Sequence, residues 1–296
     1  MDKKVFLPLI LIVFLAFFLR FFRVDQLPPS LNWDEVSIGY NAYSVLKTGH
    51  DEWGESFPLS FRAFGDYKLP GYIYLDVPFV AVFGLNEVGV RLPSVLAGVG
   101  IVVVIFLILW ELTKSSLLSL TGAFLAAVLP WLIIFSRIGL EANLALFLTA
   151  TSFYFFLLSL RKKFYLILSS LFLGLSVFTY NSSRVLILPF LILAAVLFRN
   201  ELSGKRREVL ASFLILMAFV IVAFSQALLI DSKARYRWTT IIDEGAILSI
   251  NKLRQQSNLS SQLSWLLYNK ATYFLTEASK NYFAHFNPRF LFLEGG

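Results

Sequence analysis

Five stretches without a charged residue, each long enough to cross a lipid bilayer as a helix, constrain this chain more than any other feature. They cover residues 92–110, 115–136, 142–160, 164–183 and 209–230. A bilayer core takes about 20 helical residues, and every backbone polar group inside it must find a partner within the protein. We therefore expect a bundle of membrane helices rather than a soluble domain.

Composition excludes several classes of protein. Hydrophobic residues make up 57% of the 296 residues and charged residues only 15%, whereas a soluble domain carries about 25% charged residues. The net charge of +7 does not indicate nucleic-acid binding, because many Lys and Arg residues lie in short loops between apolar stretches. The chain has no Cys, which excludes disulfides and thiol catalysis; a zinc site would have to use His50, His285 or carboxylates.

The N-terminal segment predicts an uncleaved signal anchor. Lys3 and Lys4 precede an apolar run over residues 5–19, and Arg20 to Arg23 follow without a small-residue cleavage site. A short apolar run at 185–198 also crosses the bilayer if the polar residues on either side extend the helix. Seven spans are thus predicted, at about 5–22, 92–112, 115–136, 142–160, 164–181, 184–199 and 208–230.

A further apolar stretch, 69–84, decides the topology. It contains Asp76, Pro70 and Pro78, which favours an interfacial or re-entrant helix over a span. With that assignment, the basic clusters fall on the cytoplasmic side, as expected for a plasma-membrane protein with a cytoplasmic N-terminus. The only basic residues in the short external loops are then Arg137 and Arg184.

This topology divides the chain into two regions. A transmembrane catalytic region covers 1–230 and includes a first external loop, 23–91, with interfacial helices at 35–47 and 69–84. A second large external loop covers 231–296 and ends without a helix stop or a polar tail. We therefore expect the sequence to be the N-terminal portion of a longer membrane protein.

The ionisable residues at the helix ends share the external side. They are Asp34, Glu35, Lys68, Arg137, Glu141 and Arg184. Because such charges are costly near lipid without a partner or water, we expect them to converge on one external cavity. Most of them have a plainer interpretation. These are Asp34 as a helix cap, Lys68 as a solvated charge in its loop, Arg137 with Glu141 as a helix-end ion pair, and Arg184 as a side chain that reaches the headgroups.

Aromatic residues crowd the first external loop and leave two interpretations open. Trp33, Trp53, Tyr67, Tyr72 and Tyr74 suit an aromatic belt at the membrane interface as well as a sugar-binding surface. The sequence contains no Gly-rich phosphate loop, no HExxH and no GxSxG motif. A soluble nucleotide-sugar or ATP site is therefore unsupported.

Carboxylates beside cations at a membrane surface suit a phosphate-linked lipid substrate. Cations hold the phosphate and offset charge on the leaving group, while an acid accepts the proton of the acceptor. A carboxylate at a helix N-terminus, such as Asp34, is favoured in its ionised form. That position predicts a base or a metal ligand rather than a general acid.

Four motifs follow one another in a fixed order along the chain: Asp34-Glu35, Lys68-Leu69-Pro70-Gly71-Tyr72, Asn86 to Ser94, and Ser136 to Glu141. This ordered set resembles glycosyltransferase family 39. The family includes protein O-mannosyltransferases and is similar to the aminoarabinose transferases that modify lipid A. The resemblance spans nearly the whole chain and implies an all-α polytopic bundle, the C-type glycosyltransferase fold. Because the family has around a dozen spans, it also implies that four or more helices are missing here.

The resemblance implies a role for each candidate residue. Asp34 and Glu35 match the external acidic motif needed for catalysis, and Glu141 matches a second acidic position that is usually Asp. Lys68 matches a lysine that contacts the lipid phosphate, with Arg137 and Arg184 as further phosphate ligands. The sequence itself does not require a cofactor and leaves a divalent metal open; if one is bound, Asp34 and Glu141 are its expected ligands.

These expectations combine into one functional hypothesis. The chain is predicted to be a mannosyltransferase-like enzyme that transfers a sugar from a polyprenyl-phosphate donor to a hydroxyl of a protein, lipid or glycan, with inversion. The alternative is a transporter or flippase, which predicts charges near mid-helix and matched broken helices. A noncatalytic assembly subunit is a third possibility.

Overall fold

The computed structural model describes residues 3–64, 66–229, 241–257, 259–284 and 286–287. His285, one of the two histidines considered for a zinc site, and the C-terminal end of the chain lie outside these residues. The chain divides into two units, residues 1–230 and 231–296, and each is described by itself.

The first unit is helical apart from one hairpin. Its helices are α1 (Lys3–Phe21), α2 (Trp33–Thr48), α3 (Pro70–Phe83), α4 (Glu87–Thr113), α5 (Ser116–Val128), α6 (Pro130–Ser136), α7 (Glu141–Ser159), α8 (Tyr165–Val177), α9 (Asn181–Leu197), α10 (Arg199–Ser203) and α11 (Arg206–Leu229). Strands β1 (Phe61–Ala63) and β2 (Asp66–Lys68) form an antiparallel pair that the sequence did not predict. The all-α membrane bundle is otherwise confirmed.

Several helices meet the length and composition needed to cross a bilayer. By these two criteria α4, α7 and residues 206–225 of α11 qualify among the described residues, and α5 with α6 makes a fourth if this bent pair is one span. The apolar part of α1 (Val5–Phe21) and the apolar helices α3, α8 and α9 are shorter. The chain is a multi-pass membrane protein, and its seven-span topology remains a prediction.

Helix α4 is the centre of the bundle. It packs against α1, α3, α5 and α7, and α8 in turn packs between α7 and α11. One buried cluster joins α1, α4 and α5 through small and branched side chains such as Ala16, Val102 and Ala127. A second cluster joins α2, β1 and α3 to α4 and α7, and Phe61 and Tyr72 lie fully buried in it.

The predicted span at 115–136 bends by 58° at Leu129. Pro130 has no N–H to donate to the carbonyl of Ala126, so the helical hydrogen bonding stops there. The buried guanidinium of Arg20 donates instead to the carbonyl oxygens of Ala126 and Ala127, both at 3.0 Å. Arg20 therefore satisfies backbone groups that the break leaves open, as membrane helices require.

The two ends of the bundle carry different charge patterns. At one end, the C-terminal turns of α4 and α7 meet the starts of α8 and α11. Ion pairs join Lys114 and Arg161 to Glu111, and Lys163 to Glu208. At the other end lie the hairpin and the starts of α2, α4 and α7. The basic clusters assigned to the cytoplasmic side thus sit opposite the candidate site residues.

The second unit contains three described helices, α12 (Glu244–Gln256), α13 (Ser261–Leu267) and α14 (Lys270–Ala284). Asp243 caps α12 by accepting the N–H of Ala246 at 2.7 Å. The guanidinium of Arg254 lies over the ring of Trp265 at 4.8 Å and donates to the carbonyl of Tyr268. These contacts join the C-terminal turn of α12 to α13.

Candidate active site

The start of α2 positions the first candidate carboxylate. Asn32 is the helix cap: its side chain accepts the N–H of Glu35 at 2.9 Å, and the Glu35 carboxylate accepts the N–H of Asn32 at 3.0 Å. The interpretation of Asp34 as the cap is therefore wrong, because Asn32 supplies the capping oxygen two residues earlier. Asp34 lies in the first helical turn, where the helix dipole favours a negative charge.

A lysine joins two of the predicted carboxylates. The Lys68 ammonium lies 2.6 Å from Asp34 Oδ1 and 3.8 Å from Glu141 Oε1. The Lys68 and Glu141 side chains are 12% and 9% exposed, whereas Asp34 is 40% exposed. The cluster therefore has a sheltered side at Lys68 and Glu141 and an open side at Asp34.

The β hairpin explains why Lys68 reaches this position. Lys68 is paired with Phe61 in the hairpin, and the fully buried Phe61 ring fixes β1 in the core. Pro70 then starts α3 directly after β2. The Lys-x-Pro sequence thus holds the lysine at a strand end beside a helix start.

Glu35 has a different environment from Asp34, although the two are adjacent. Its buried carboxylate pairs with the buried guanidinium of Arg91 at 2.8 Å and accepts the N–H of Gly139 at 2.9 Å. Arg91 also donates to three carbonyl oxygens between α1 and α2, those of Val24, Pro28 and Ser30. This Glu35–Arg91 pair therefore fastens α2, α4, the α1–α2 connection and the α6–α7 loop together.

The guanidinium of Arg137 points to the end of α1. All three of its nitrogens donate to backbone carbonyl oxygens, those of Leu19, Arg20, Phe22, Arg23 and Leu27. Burial, together with the nearby charge of Arg91, lowers the pKa of Arg137. Its contacts satisfy the open carbonyls at a helix C-terminus, where a cation is favourable.

Arg184 lies in the first turn of α9 and donates to the carbonyl of Val177 at 3.3 Å. The α8–α9 connection reaches the candidate site through the backbone, because the N–H of Gly71 donates to the carbonyl of Phe178 at 2.9 Å. A Cβ at residue 71 would lie 2.6 Å from the Thr179 hydroxyl. Glycine therefore allows the start of α3 to approach this connection.

Two buried polar residues of α3 lie behind the site. The Tyr72 hydroxyl donates to the carbonyl of Val90 and accepts the N–H of Ser94, at 2.9 and 3.1 Å. Burial raises the pKa of Tyr72 well above its usual value. Asp76 is fully buried, and among the described residues neither carboxylate oxygen has a hydrogen-bond partner. Burial raises the pKa of Asp76 to about 8, which favours the neutral acid at pH 7.

Sequence reasoning did not assign a site role to Arg91 or Asp76. Arg91 lies within the Asn86-to-Ser94 motif, and a conspicuous signal was its charge at the very start of a long apolar run. Asp76 was used only as an argument against a span at 69–84. Both lie buried among residues distant in sequence, which explains why spacing alone did not place them.

The site does not fit a divalent metal held by Asp34 and Glu141. The Lys68 ammonium occupies the space where a cation would contact both carboxylates. Within the described part of the chain, no group of three His, Asp or Glu residues is arranged to hold a metal ion. The ammonium supplies the positive charge between these two carboxylates.

Comparison with known proteins adds a family and a fold. Residues 68–226 match the dolichyl-phosphate-mannose-protein mannosyltransferase family. No protein of curated function matches at a significant level.

Solved structures of an Archaeoglobus fulgidus oligosaccharyltransferase are also similar. The complex of this enzyme, AglB, with an inhibitory peptide and a dolichol-phosphate has a TM-score of 0.55 and 16% identity over 98% of this chain. The complex with Zn and sulfate has a TM-score of 0.56 and 17% identity over 96%. The apo form has a TM-score of 0.57 and 15% identity over 100%.

These similarities establish the architecture. The chain spans 38 to 40% of the length of the three matched structures, and at such identity the likeness shows the fold alone. The predicted C-type glycosyltransferase fold is confirmed.

Proposed function

This chain belongs to the dolichyl-phosphate-mannose-protein mannosyltransferase family, and on that basis we propose that it transfers a sugar from a polyprenyl-phosphate donor to an acceptor hydroxyl. One observation carries the proposal: a sheltered ammonium, Lys68, lies between two carboxylates, and the more open one is Asp34. A phosphate-linked donor needs a cation at its leaving group, and a hydroxyl acceptor needs a base.

Asp34 and Lys68 divide the chemistry between them. Asp34 accepts the proton of the acceptor hydroxyl as the hydroxyl oxygen attacks the anomeric carbon of the donor. The bond between that carbon and the phosphate oxygen breaks, and the polyprenyl phosphate leaves with the bonding electron pair. Lys68 offsets the negative charge that develops on the phosphate. A single displacement of this kind inverts the configuration of the sugar.

The remaining candidates take supporting roles in this proposal. Glu141 holds the Lys68 ammonium from its sheltered side. Glu35 is a positioning residue rather than a catalytic one, because Arg91 and two backbone N–H groups already engage its carboxylate. Arg137 positions the end of α1, which leaves Arg184 as the further candidate for the donor phosphate.

Lys68→Met tests the assignment of the donor phosphate. Loss of the ammonium is expected to lower kcat/KM for a polyprenyl-phosphate sugar about 10²-fold or more, as losing one preorganised electrostatic contact does. Lys68→Arg keeps the charge and is expected to retain part of the activity. The measurement is transfer of labelled mannose from polyprenyl-phosphate mannose in membranes that contain the whole protein.

Two controls sharpen this experiment. Lys47→Met removes a lysine from the last turn of α2, where it lies over the ring of Tyr43, and should leave transfer unchanged. GDP-mannose is offered as a donor without a lipid. Transfer from GDP-mannose but not from polyprenyl-phosphate sugars would contradict the proposed donor, and lipid movement without sugar release would support a flippase.

Removal of divalent metal is expected to leave transfer intact. Because Lys68 already bridges Asp34 and Glu141, a chelator such as EDTA removes no charge from between these carboxylates. The initial rates with and without EDTA are expected to agree within about twofold. Loss of a catalytic metal would lower the rate far more, because such a metal stabilises the transition state by several kcal/mol. A large loss that Mn²⁺ or Mg²⁺ restores would contradict the bridging role of Lys68.

A further inference from the structure

The aromatic residues of the first external loop do not share one environment. Tyr72 is fully buried, and its hydroxyl bonds to the backbone of α4. The Tyr74 hydroxyl donates to the carbonyl of Pro58. Trp53 stacks with the Arg62 guanidinium at 4.4 Å and donates to the Arg62 carbonyl. These three residues hold the loop together.

Trp33 and Phe64 differ from this group. Their ring centroids are 6.2 Å apart with an angle of 34° between the planes. Trp33 is 73% exposed and Phe64 is 69% exposed. A contact that leaves both rings so open buries little apolar area, so its contribution to stability is small. The pair presents aromatic surface to the outside.

The aromatic pair borders the proposed base. Trp33 directly precedes Asp34 in α2, and Phe64 lies between β1 and β2, the strand that ends at Lys68. The first turn of α2 and the hairpin therefore meet twice, through the ring pair and through the ion pair of Asp34 with Lys68. The exposed fraction increases from Lys68 to Asp34, and it is higher still for Trp33 and Phe64. The rings thus lie on the open side of the site.

The backbone of Phe64 has a conformation that hairpin turns use, because Phe64 lies in the turn that joins the paired strands β1 and β2. Its φ of +43° lies in the left-handed region, where a bulky side chain is disfavoured and glycine or asparagine is common. Strained residues of this kind cluster at ligand-binding positions. Phe57 has the same φ, so this conformation alone does not mark a binding position. At Phe64 it accompanies an exposed ring that lies beside Trp33 on the open side of the site.

We propose that Trp33 and Phe64 form an aromatic platform that stacks on the pyranose ring of a carbohydrate acceptor, whose hydroxyl then reaches Asp34. This inference rests on the proposed function. The donor phosphate takes the sheltered side at Lys68, which leaves the open side for the acceptor. Aromatic faces carry negative charge density, and the C–H groups on one face of a pyranose are weakly positive. The proposal therefore assigns the acceptor to glycans rather than to unmodified protein.

The test measures acceptor kinetics with a panel of methyl glycosides of mannose, glucose, galactose and N-acetylglucosamine, and with Ser/Thr peptides. The donor is a polyprenyl-phosphate sugar, and the whole protein is used. At least one glycoside is expected to accept sugar. Trp33→Ala and Phe64→Ala should each raise its KM about 3- to 10-fold, the effect of losing one aromatic contact. Trp33→Phe should recover most of the loss.

Phe57→Ala is the matched control. Phe57 is also an exposed phenylalanine with a φ of +43°, but it lies by Gly49 at the other end of α2. Its replacement should leave the glycoside KM unchanged. An unchanged KM in both platform variants, or transfer to peptides but to no glycoside, would overturn the platform while the proposed function stands. If the wild-type protein releases no sugar from the donor, both proposals fall.

Discussion

Asp34→Asn is expected to abolish sugar transfer, lowering kcat by about 10³-fold, within the range that general-base catalysis contributes. The amide has the shape of the carboxylate but does not accept the proton of the acceptor hydroxyl. It also removes the negative partner 2.6 Å from the Lys68 ammonium. The measurement is single-turnover transfer with saturating polyprenyl-phosphate donor, so that a weaker donor affinity does not hide the chemical step.

The control for this variant is Asp25→Asn. Asp25 is an exposed carboxylate in the α1–α2 connection that contacts Gln26, and its replacement should not change transfer. Asp25→Asn should keep the melting temperature of the parent. Asp34→Asn should lower it only slightly, because Asn32 rather than Asp34 caps α2 and Glu141 remains beside the Lys68 ammonium. Turnover near the parent rate in Asp34→Asn would sink the assignment of Asp34 as the base.

Sequence reasoning found the cluster of Asp34, Lys68 and Glu141 for a physical reason. Apolar stretches determine which loops share a side of the membrane. A charged side chain at a helix end on that side is costly near lipid unless it contacts water or an opposite charge. The three residues come from separate loops, yet the structure brings them together. Topology therefore named these three residues among six candidates, whereas Glu35, Arg137 and Arg184 make other contacts. The family resemblance supplied the chemistry of the cluster.

Contacts of side chains with distant backbone groups could not be predicted from the sequence in this way. The acceptors of Arg137 are carbonyls at the end of α1, more than 100 residues away, and a charge pattern contains no information on open carbonyls. The capping oxygen was assigned to Asp34 because Asp, Asn and Ser are similarly favoured at the cap. Likewise, Pro130 predicts a bend, but the hydrogen bond from the Arg20 guanidinium to the open carbonyl of Ala126 depends on how α1 packs.

The Glu35–Arg91 pair gives the largest expected effect on stability. Arg91→Leu leaves a buried carboxylate without its cation, and breaking such a pair costs about 3–5 kcal/mol. The same change frees the carbonyls of Val24, Pro28 and Ser30, so the α1–α2 connection loses its attachment to α4. We expect a large fall in the free energy of unfolding, measured by titration with a denaturing detergent, and loss of transfer.

A second change separates the charge from the packing. In Arg91→Leu with Glu35→Gln, no unpaired charge is buried, and the amide oxygen still accepts the N–H of Gly139. The double variant should therefore be more stable than Arg91→Leu alone, with a coupling energy above about 1 kcal/mol, as expected for contacting residues. Arg23→Leu, at a surface arginine that contacts Gln26, serves as the control within about 0.5 kcal/mol of the parent. If the double variant is no more stable than Arg91→Leu, the buried charge of Glu35 is not what makes Arg91 necessary, and the carbonyl contacts alone account for its role.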